Sequence, residues 1–438
     1  MKIAVIGSGV SGLGAAYALS AVADVHLFER DLRIGGHSNT VNIEYDGASI
    51  AVDTGFIVYN DRNYPNLCGL FDHLGVETQW SDMSFGFSLG DGALEYACDD
   101  LDSIFAQRRN IVNPRFLWTF REVLRFCSAA PADLASGAAT GVSLGAWLER
   151  RRFSLWFRER FILPMGGAIW STPTNRMLDF PAESFLRFFA NHDLYTGLDD
   201  AMKWRTVTGG SRNYVNRILR ALGPRAHAGI GAVSVNRSGP QPRLRFTDGS
   251  EGAFDAVVLA THAPDALRLL AQTEAEEAET LGAFRVSRNR AVLHRDARLM
   301  PKRRKVWSSW TLMSRGAADA GRPVAVSYWM NRLQGLDPTR DLFVTLNPHR
   351  EPAPEAVFAE FDYAHPLYDA ASFAAQDRLD ALQGRGGVWY AGAWTGYGFH
   401  EDGLRSGLRV AQALGARPVW ARDVPALASP APATVAAE

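Results

Sequence analysis

Cysteine is scarce: 438 residues contain Cys68, Cys98 and Cys127 only. An odd count argues against a disulfide framework, and no two of them stand at a metal-binding spacing. The reducing cytoplasm is therefore the expected compartment. Long apolar runs are also missing, and none reaches the roughly 18 residues of a membrane-spanning helix. That leaves peripheral contact with the inner membrane face open. The net charge is only -1, which gives no reason to expect a nucleic acid. The chain opens directly on a core strand, so no signal peptide is expected. No repeat of solenoid period is found. There is also no Ser-His-Asp arrangement, no metal-spaced His pair and no Cys-x-x-Cys, so no metal is expected.

What is present begins at the first residues. Residues 3–6 form a short apolar, β-branched run, suited to a buried parallel strand. Gly7, Gly9 and Gly12 follow at the spacing of a dinucleotide-binding turn. Gly7 permits the tight turn, Gly9 lets the backbone approach a pyrophosphate, and Gly12 lets the next helix pack on the strand. That helix begins around Val10 and Ser11, and its N–H groups would point at the phosphates. Residues 25–28 read as the second strand, closed by Glu29. A carboxylate there would accept hydrogen bonds from an adenosine ribose and repel a 2′-phosphate.

The next motifs are Gly35-Gly36-His37 and Asp53-Thr54-Gly55-Phe56. A nicotinamide site needs no second glycine pair at this point. The order of motifs resembles the flavin amine oxidase superfamily, which includes monoamine oxidases, protoporphyrinogen oxidases and carotenoid desaturases. The resemblance implies an α/β fold: a Rossmann-like FAD-binding domain of the amine oxidase and glutathione reductase type, with a discontinuous α+β substrate domain. It implies FAD held non-covalently, since the usual cysteine near the C-terminal glycine has no counterpart. Gly36 would lie along the pyrophosphate and ribityl chain, with Asp53, Gly55 and Phe56 approaching the flavin. His37 stands where the family carries arginine, so the phosphate contact falls to His37, Ser38 or Arg30. The backbone at Val233 would cap the adenine, and Thr261 would pass near the cofactor. Gly392, Trp394, Asp402 and Gly403 would close the site, with a helix N-terminus near Gly403 facing the flavin pyrimidine.

The expected FAD-binding domain is therefore split into residues 1–75, 205–275 and 385–420. Residues 76–204 and 276–384 would build the substrate domain, and the Ala/Pro/Ser-rich tail 426–438 would be disordered. A helix is expected over 60–76 and a hairpin over 79–96, turning at Gly90-Asp91-Gly92. Residues 101–191 read as helical and aromatic, with Asp133 opening a surface loop over 133–140. One stripe holds Phe116, Leu117, Phe120, Leu124 and Phe126. Such stripes are core in most proteins; the other reading is that some line an apolar substrate tunnel. Residues 275–281 read as a solvated helix. Strands are expected over 290–294, 306–310, 324–329, 342–346 and 388–394, and a last helix over 404–414. The basic run Lys302-Arg303-Arg304-Lys305 reads as a solvated loop or as a contact with an anionic head group.

Several stretches resemble a narrower bacterial group. They include Gly35-Gly36-His37-Ser38-Asn39-Thr40-Val41, Trp307-Ser308-Ser309-Trp310 and Tyr328-Trp329-Met330-Asn331-Arg332. That group accompanies cyclopropane-fatty-acid-synthase-like methyltransferases, and one branch is similar to flavin desaturases of methylated acyl chains on the route to furan fatty acids. This resemblance implies an apolar, acyl-chain substrate, a methyltransferase partner and dehydrogenation of a lipid-linked chain. The alternatives are an amine oxidase, with Trp394 and Tyr397 caging the substrate nitrogen, and a non-catalytic flavoprotein that presents lipid. Tyr397, His400 and Glu401 are the candidate catalytic residues; the histidine and the acid would move a proton, or merely hold their loop.

Overall fold

The apolar strand Lys2–Ile6 lies at the centre of a five-stranded sheet in the computed structural model, which describes residues 1–170, 172–192, 202–316 and 321–427. The strand order is Ala226–Ala228, Asp24–Glu29, Lys2–Ile6, Ala256–Leu259 and Val388–Tyr390, and every pairing is parallel. Both faces are covered, so the central strands are apolar throughout rather than alternating. Helix Val10–Leu19 packs on one face and crosses helix His400–Ala413 at close range. Glycines make that crossing. A Cβ on Gly14 would lie 2.3 Å from Leu404 Cδ1, and one on Gly407 would lie 2.2 Å from the Ser11 carbonyl oxygen.

The second body is a seven-stranded sheet, ordered Val357–Leu367, Arg285–His294, Phe343–Leu346, Ala325–Trp329, Trp310–Ser314, Phe85–Leu89 and Leu94–Ala97. It is antiparallel except where Trp310–Ser314 runs parallel to Phe85–Leu89. Helices from residues 101–192 supply the rest of this core, where Phe126, Trp147, Phe157 and Phe185 meet Leu293, Leu312 and Val344. A small sheet of Tyr59–Asn60, Trp204–Val207 and Thr78–Ser81 joins chain from either side of the expected domain boundaries.

Several elements differ from their expected bounds for local reasons. The helix expected over 60–76 is Pro65–Leu74: Asn60 belongs to a strand, Pro65 opens the helix, and Gly75 at φ +65° ends it. Strand Thr78–Ser81 is separate from the hairpin of Phe85–Leu89 and Leu94–Ala97. Asp133 is no loop residue. It lies in helix Pro114–Ser136, buried, and accepts from the Trp147 indole at 2.8 Å and Arg151 Nε at 2.7 Å. Residues 306–309 form no strand, since the chain enters a short helical turn at Arg304–Val306. Helix Ala275–Gly282 is not fully solvated, because Glu277 is buried against Arg237 and the Tyr390 hydroxyl. The final strand stops at Tyr390, and the final helix begins at His400. The tail expected to be disordered lies outside the described residues from 428 onward. Among the described residues no helix is long and apolar enough to cross a membrane, and no group of three or more His, Cys, Asp and Glu is placed to hold a metal.

Candidate flavin and substrate site

Between the two bodies runs one cavity of about 1720 Å³. Single-ligand pockets span roughly 300–1,000 Å³, so this one has room for a large cofactor and a substrate together.

The cofactor end is built from the amino-terminal glycines. Gly7 turns with φ +99°, and its N–H donates to the Phe28 carbonyl at 2.9 Å. A Cβ on Gly12 would sit 1.9 Å from the Gly7 carbonyl oxygen, and one on Gly36 would sit 2.8 Å from Gly9 Cα. At Gly9, by contrast, a Cβ meets nothing within 4 Å. Two glycine backbones thus touch each other and leave open space on the cavity side, a cradle that only a ligand fills. Gly9, Val10 and Ser11 line it at the start of helix Val10–Leu19, whose free N–H groups suit an anion. Glu29 closes one end. Its Oε2 accepts from Ser8 N and Ser8 Oγ at 2.9 and 2.7 Å, and Oε1 accepts from Asp31 N at 3.1 Å. A carboxylate fixed in this way, with capacity to accept more, matches a ribose diol. Val233 lies at an irregularity in the strand pairing of Ala232–Asn236, on the cavity wall with Arg30 and Thr261.

His37 supplies a second test of fit. It is cavity-lining, and its buried Nε2 has no hydrogen-bond partner. Burial first, then repulsion from His365, His262, His400 and Arg33, holds its pKa well below the usual histidine range, so the ring is neutral. An unpartnered polar nitrogen in a residue that lines the cradle is what a polar cofactor would satisfy. The residues present therefore fit a dinucleotide of the FAD kind. Arg33, which the sequence reading passed over, braces the turn by donating to the Gly36 carbonyl at 2.8 Å.

The structure sorts the other expected residues. Gly55 and Phe56 line the cavity, and a Cβ on Gly55 would lie 2.2 Å from the His37 carbonyl oxygen. Gly392, Trp394, Tyr397 and His400 line it as well. Gly12, Ser38, Asp53, Glu401, Asp402 and Gly403 do not, and each has a different task. Ser38 Oγ is buried, 2.5 Å from the Tyr214 hydroxyl and 3.1 Å from His400 Nε2. Gly403 serves helix packing: a Cβ there would lie 2.7 Å from a Val10 methyl. Asp402 accepts from Tyr397 N and Phe399 N, both at 3.0 Å, and so shapes the loop before its helix. Glu401 points away from the cavity. Its oxygens accept from Asn66 N, Asn66 Nδ2 and Leu67 N at 3.0, 2.7 and 3.0 Å, capping helix Pro65–Leu74. A proton-transfer role for Glu401 is therefore corrected to a structural one.

His400 faces the cavity but is tied down. Its ring stacks on Phe56 at 3.8 Å, and Nε2 lies 2.9 Å from the Tyr214 hydroxyl. Burial pushes its pKa down to about 3, so it is neutral near pH 7. Trp394 and Tyr397, the expected cage, both line the cavity, and each also packs on a different neighbour. The Trp394 ring packs on Phe284 at 4.5 Å and its N–H donates to the Thr261 carbonyl, while Tyr397 lies against Phe373 at 5.9 Å.

Asp53 carries a pH signature. It accepts from Ser211 N and Ser211 Oγ at the start of helix Arg212–Leu222, and from Thr40 Oγ1. Burial nevertheless raises its pKa from 3.8 to about 6. The folded state thus holds this proton more tightly than the unfolded chain. Its contribution is most favourable below pH 4, is lost as pH rises towards 6, and is flat above. Two pKa units correspond to about 3 kcal/mol. Asp53→Asn should remove that slope: the stability difference between wild type and variant should move by about this amount between pH 4 and pH 7, with wild type relatively better at the acid end. Denaturant melts at both pH values measure it, and parallel profiles would refute the assignment.

The other end of the cavity is apolar. Phe85, Tyr96, Phe116, Trp156, Phe161 and Met165 are among its walls. Of the described lining residues drawn from 80–192, 202–204 and 310–346, the only carboxylate is Asp82. It is already engaged by Arg332 Nη2 at 2.7 Å and by Ser84 and Ser309 hydroxyls at 2.6 Å. Arg160 and Lys203 are the cations of this end. Arg160 lies on a π-helical turn, Arg158–Ile162, with its guanidinium over Trp156. The basic run 302–305 is not a free cationic patch. Arg303 pairs with buried Glu95, Arg304 with Asp341 and Lys305 with Asp102, while Lys302 Nζ donates to the Asp91 carbonyl.

A sequence model of the flavin-containing amine oxidoreductase family matches residues 10–415, and the chain belongs to that family. It is an FAD-dependent oxidoreductase, its FAD held without a covalent link. No protein of curated function matches it. Solved structures share the fold at low identity. Putrescine oxidase bound to putrescine is 17% identical over 95% of this chain and 100% of its own, with a TM-score of 0.70. Cyclohexylamine oxidase from Brevibacterium oxydans is 17% identical over 94% and 98%, at 0.66. A fatty acid isomerase from P. acnes that produces CLA is 14% identical over 94% and 98%, at 0.61.

Proposed function

We propose that this oxidoreductase introduces a double bond into an acyl chain, a methylated and lipid-linked one. The observation that carries the reading is the wall of the substrate end: aromatic and aliphatic, with the one carboxylate among its described residues already paired. A cationic amine would be desolvated there without a counter-charge, at a cost of several kcal/mol. A hydrocarbon chain loses nothing on entry and gains roughly 0.8 kcal/mol for each CH₂ buried. The shared fold with a fatty acid isomerase is compatible with an acyl ligand. The methylated branch rests on the sequence resemblance, and it implies a partner methyltransferase that installs the methyl group.

Bound FAD supplies a two-electron acceptor that takes hydride from carbon. The chain's own residues do the rest. The aromatic walls bind the acyl chain, exclude water and hold one C–H bond against the cofactor. The substrate loses a hydride and a proton and gains a C=C bond. No free carboxylate stands ready as base among the described lining residues of this end, so the proton passes to water at the cavity mouth. His400, neutral and bound to Tyr214, is a positioning residue that holds Phe56.

The test is anaerobic mixing of the holoprotein with a phospholipid bearing a methylated acyl chain. Bleaching of the oxidised flavin band and a loss of two hydrogens by lipid mass spectrometry are expected. Hydrogen peroxide released on a panel of amines, with no change in the lipid, would establish an amine oxidase instead.

A further inference from the structure

Helix Pro114–Ser136 is apolar on two sides. Phe116, Phe126 and Ala130 are buried against the core. On the adjoining face, turned toward the cavity mouth, Leu117, Phe120 and Leu124 recur at spacings of three and four, and they stand 43%, 44% and 59% exposed. An ordinary surface helix would carry polar residues there. The pattern extends beyond the helix. Eight of the fourteen exposed large apolar side chains among the described residues fall between 101 and 155, with Val112 80% and Trp118 50% exposed. Helix Leu155–Phe157 packs beside the long helix and adds Leu155 to the set.

Two further features separate this surface from a chance apolar patch. Phe120 and Leu124 line the cavity as well as facing solvent, so the patch forms the rim of the cavity mouth. It is also cationic: residues 101–125 hold five arginines against Asp102 and Glu122. Glu122 is buried and pairs with Arg125 at 3.8 Å, and Asp102 is paired with Arg108 and Lys305. Arg109 and Arg115 have no carboxylate partner among the described residues, and the guanidinium of Arg121 lies 5.1 Å over the Trp118 ring.

We propose that this face docks on the head-group layer of an anionic lipid bilayer, with the apolar side chains dipping below the phosphates and the arginines resting on them. Apolar residues interleaved with arginine, including an exposed tryptophan, are the composition of interfacial membrane segments. A second copy of the chain would set like-charged arginines against each other, which disfavours that occupant. The docking rests on the patch itself. Its purpose rests on the acyl-chain reading: with the mouth pressed to the bilayer, a lipid chain enters the cavity without crossing water.

The experiment is flotation of the holoprotein with vesicles of phosphatidylcholine alone, or of phosphatidylcholine and phosphatidylglycerol in equal parts. Binding to the anionic vesicles, weakened by high salt, is expected. Val112→Ser combined with Trp118→Ser, and separately Arg115→Glu, should each weaken it by about tenfold. Neither change touches the cavity, so flavin content should stay as in wild type. Absence of binding to anionic vesicles overturns the proposal, as does wild-type binding by both variants. So does sedimentation showing a dimer that the Val112→Ser, Trp118→Ser protein dissolves. No turnover is needed for this readout. Vesicle binding without desaturation would overturn the function and leave the docking, whereas desaturation of detergent-dispersed lipid without vesicle binding would do the reverse.

Discussion

Gly12→Ala is expected to yield a protein that folds but holds FAD at least tenfold less tightly. The added methyl would lie 1.9 Å from the Gly7 carbonyl oxygen, far inside contact distance. Gly7 has nowhere to go. It is bound to the Phe28 carbonyl in the sheet, and its own α-carbon faces the Ala260 carbonyl, 2.6 Å from where a Cβ would be. The helix must therefore lift away from the turn, taking Val10 and Ser11 out of position. Overpacking of this kind costs roughly 1–3 kcal/mol, which as lost affinity is on the order of ten- to a hundredfold. Titrating apoprotein with FAD and following flavin fluorescence measures it, with circular dichroism as the control for folding. Wild-type affinity in the variant would show that the turn does not carry the cofactor.

Glu401→Ala should destabilise the protein by about 3–5 kcal/mol while leaving turnover per folded flavoprotein close to wild type. Three buried donors, Asn66 N, Asn66 Nδ2 and Leu67 N, lose their acceptor at once. Each orphaned donor costs roughly 1–3 kcal/mol before the surroundings relax. Glu401→Gln should cost less, because the amide oxygen still serves Asn66 while the amide nitrogen meets the Leu67 N–H. The carboxyl's pKa is raised by burial against the pull of these donors, so its own stabilisation is greatest towards acid pH. A variant that melts like wild type but has lost hydride transfer would restore Glu401 to the chemistry and refute this placement.

The cofactor end was legible because its parts are local. Gly7, Gly9, Gly12 and Glu29 fall within one strand–helix–strand unit, where spacing alone dictates geometry. The closing segment was not, for a helical reason. His400, Glu401 and Asp402 are adjacent in sequence, so on a helix they point about 100° apart. One faces the cavity, the next caps Pro65–Leu74, and the third folds back on its own loop. Reading the helix as starting at Leu404 hid this, because glycine is a poor helix former; the missing side chain of Gly403 makes room for Val10. Tyr214, His365 and Arg33 were missed because no local motif marks them, and the first two arrive from distant segments. Strand Val357–Leu367 escaped because alanines and Pro366 interrupt its alternation, and its long pairing with Arg285–His294 supplies the order that its own pattern lacks.

The crossing of helix Val10–Leu19 with helix His400–Ala413 has a bearing on biogenesis. The glycine turn after Lys2–Ile6 is made first, yet its covering helix, and the edge strand Val388–Tyr390 of the same sheet, are translated almost four hundred residues later. During synthesis the nascent chain therefore carries a half-built Rossmann unit with an open flank. Such contacts of high sequence separation form slowly. The wall of the cavity that Gly392 and His400 supply is therefore completed only after the last strand and helix have been made.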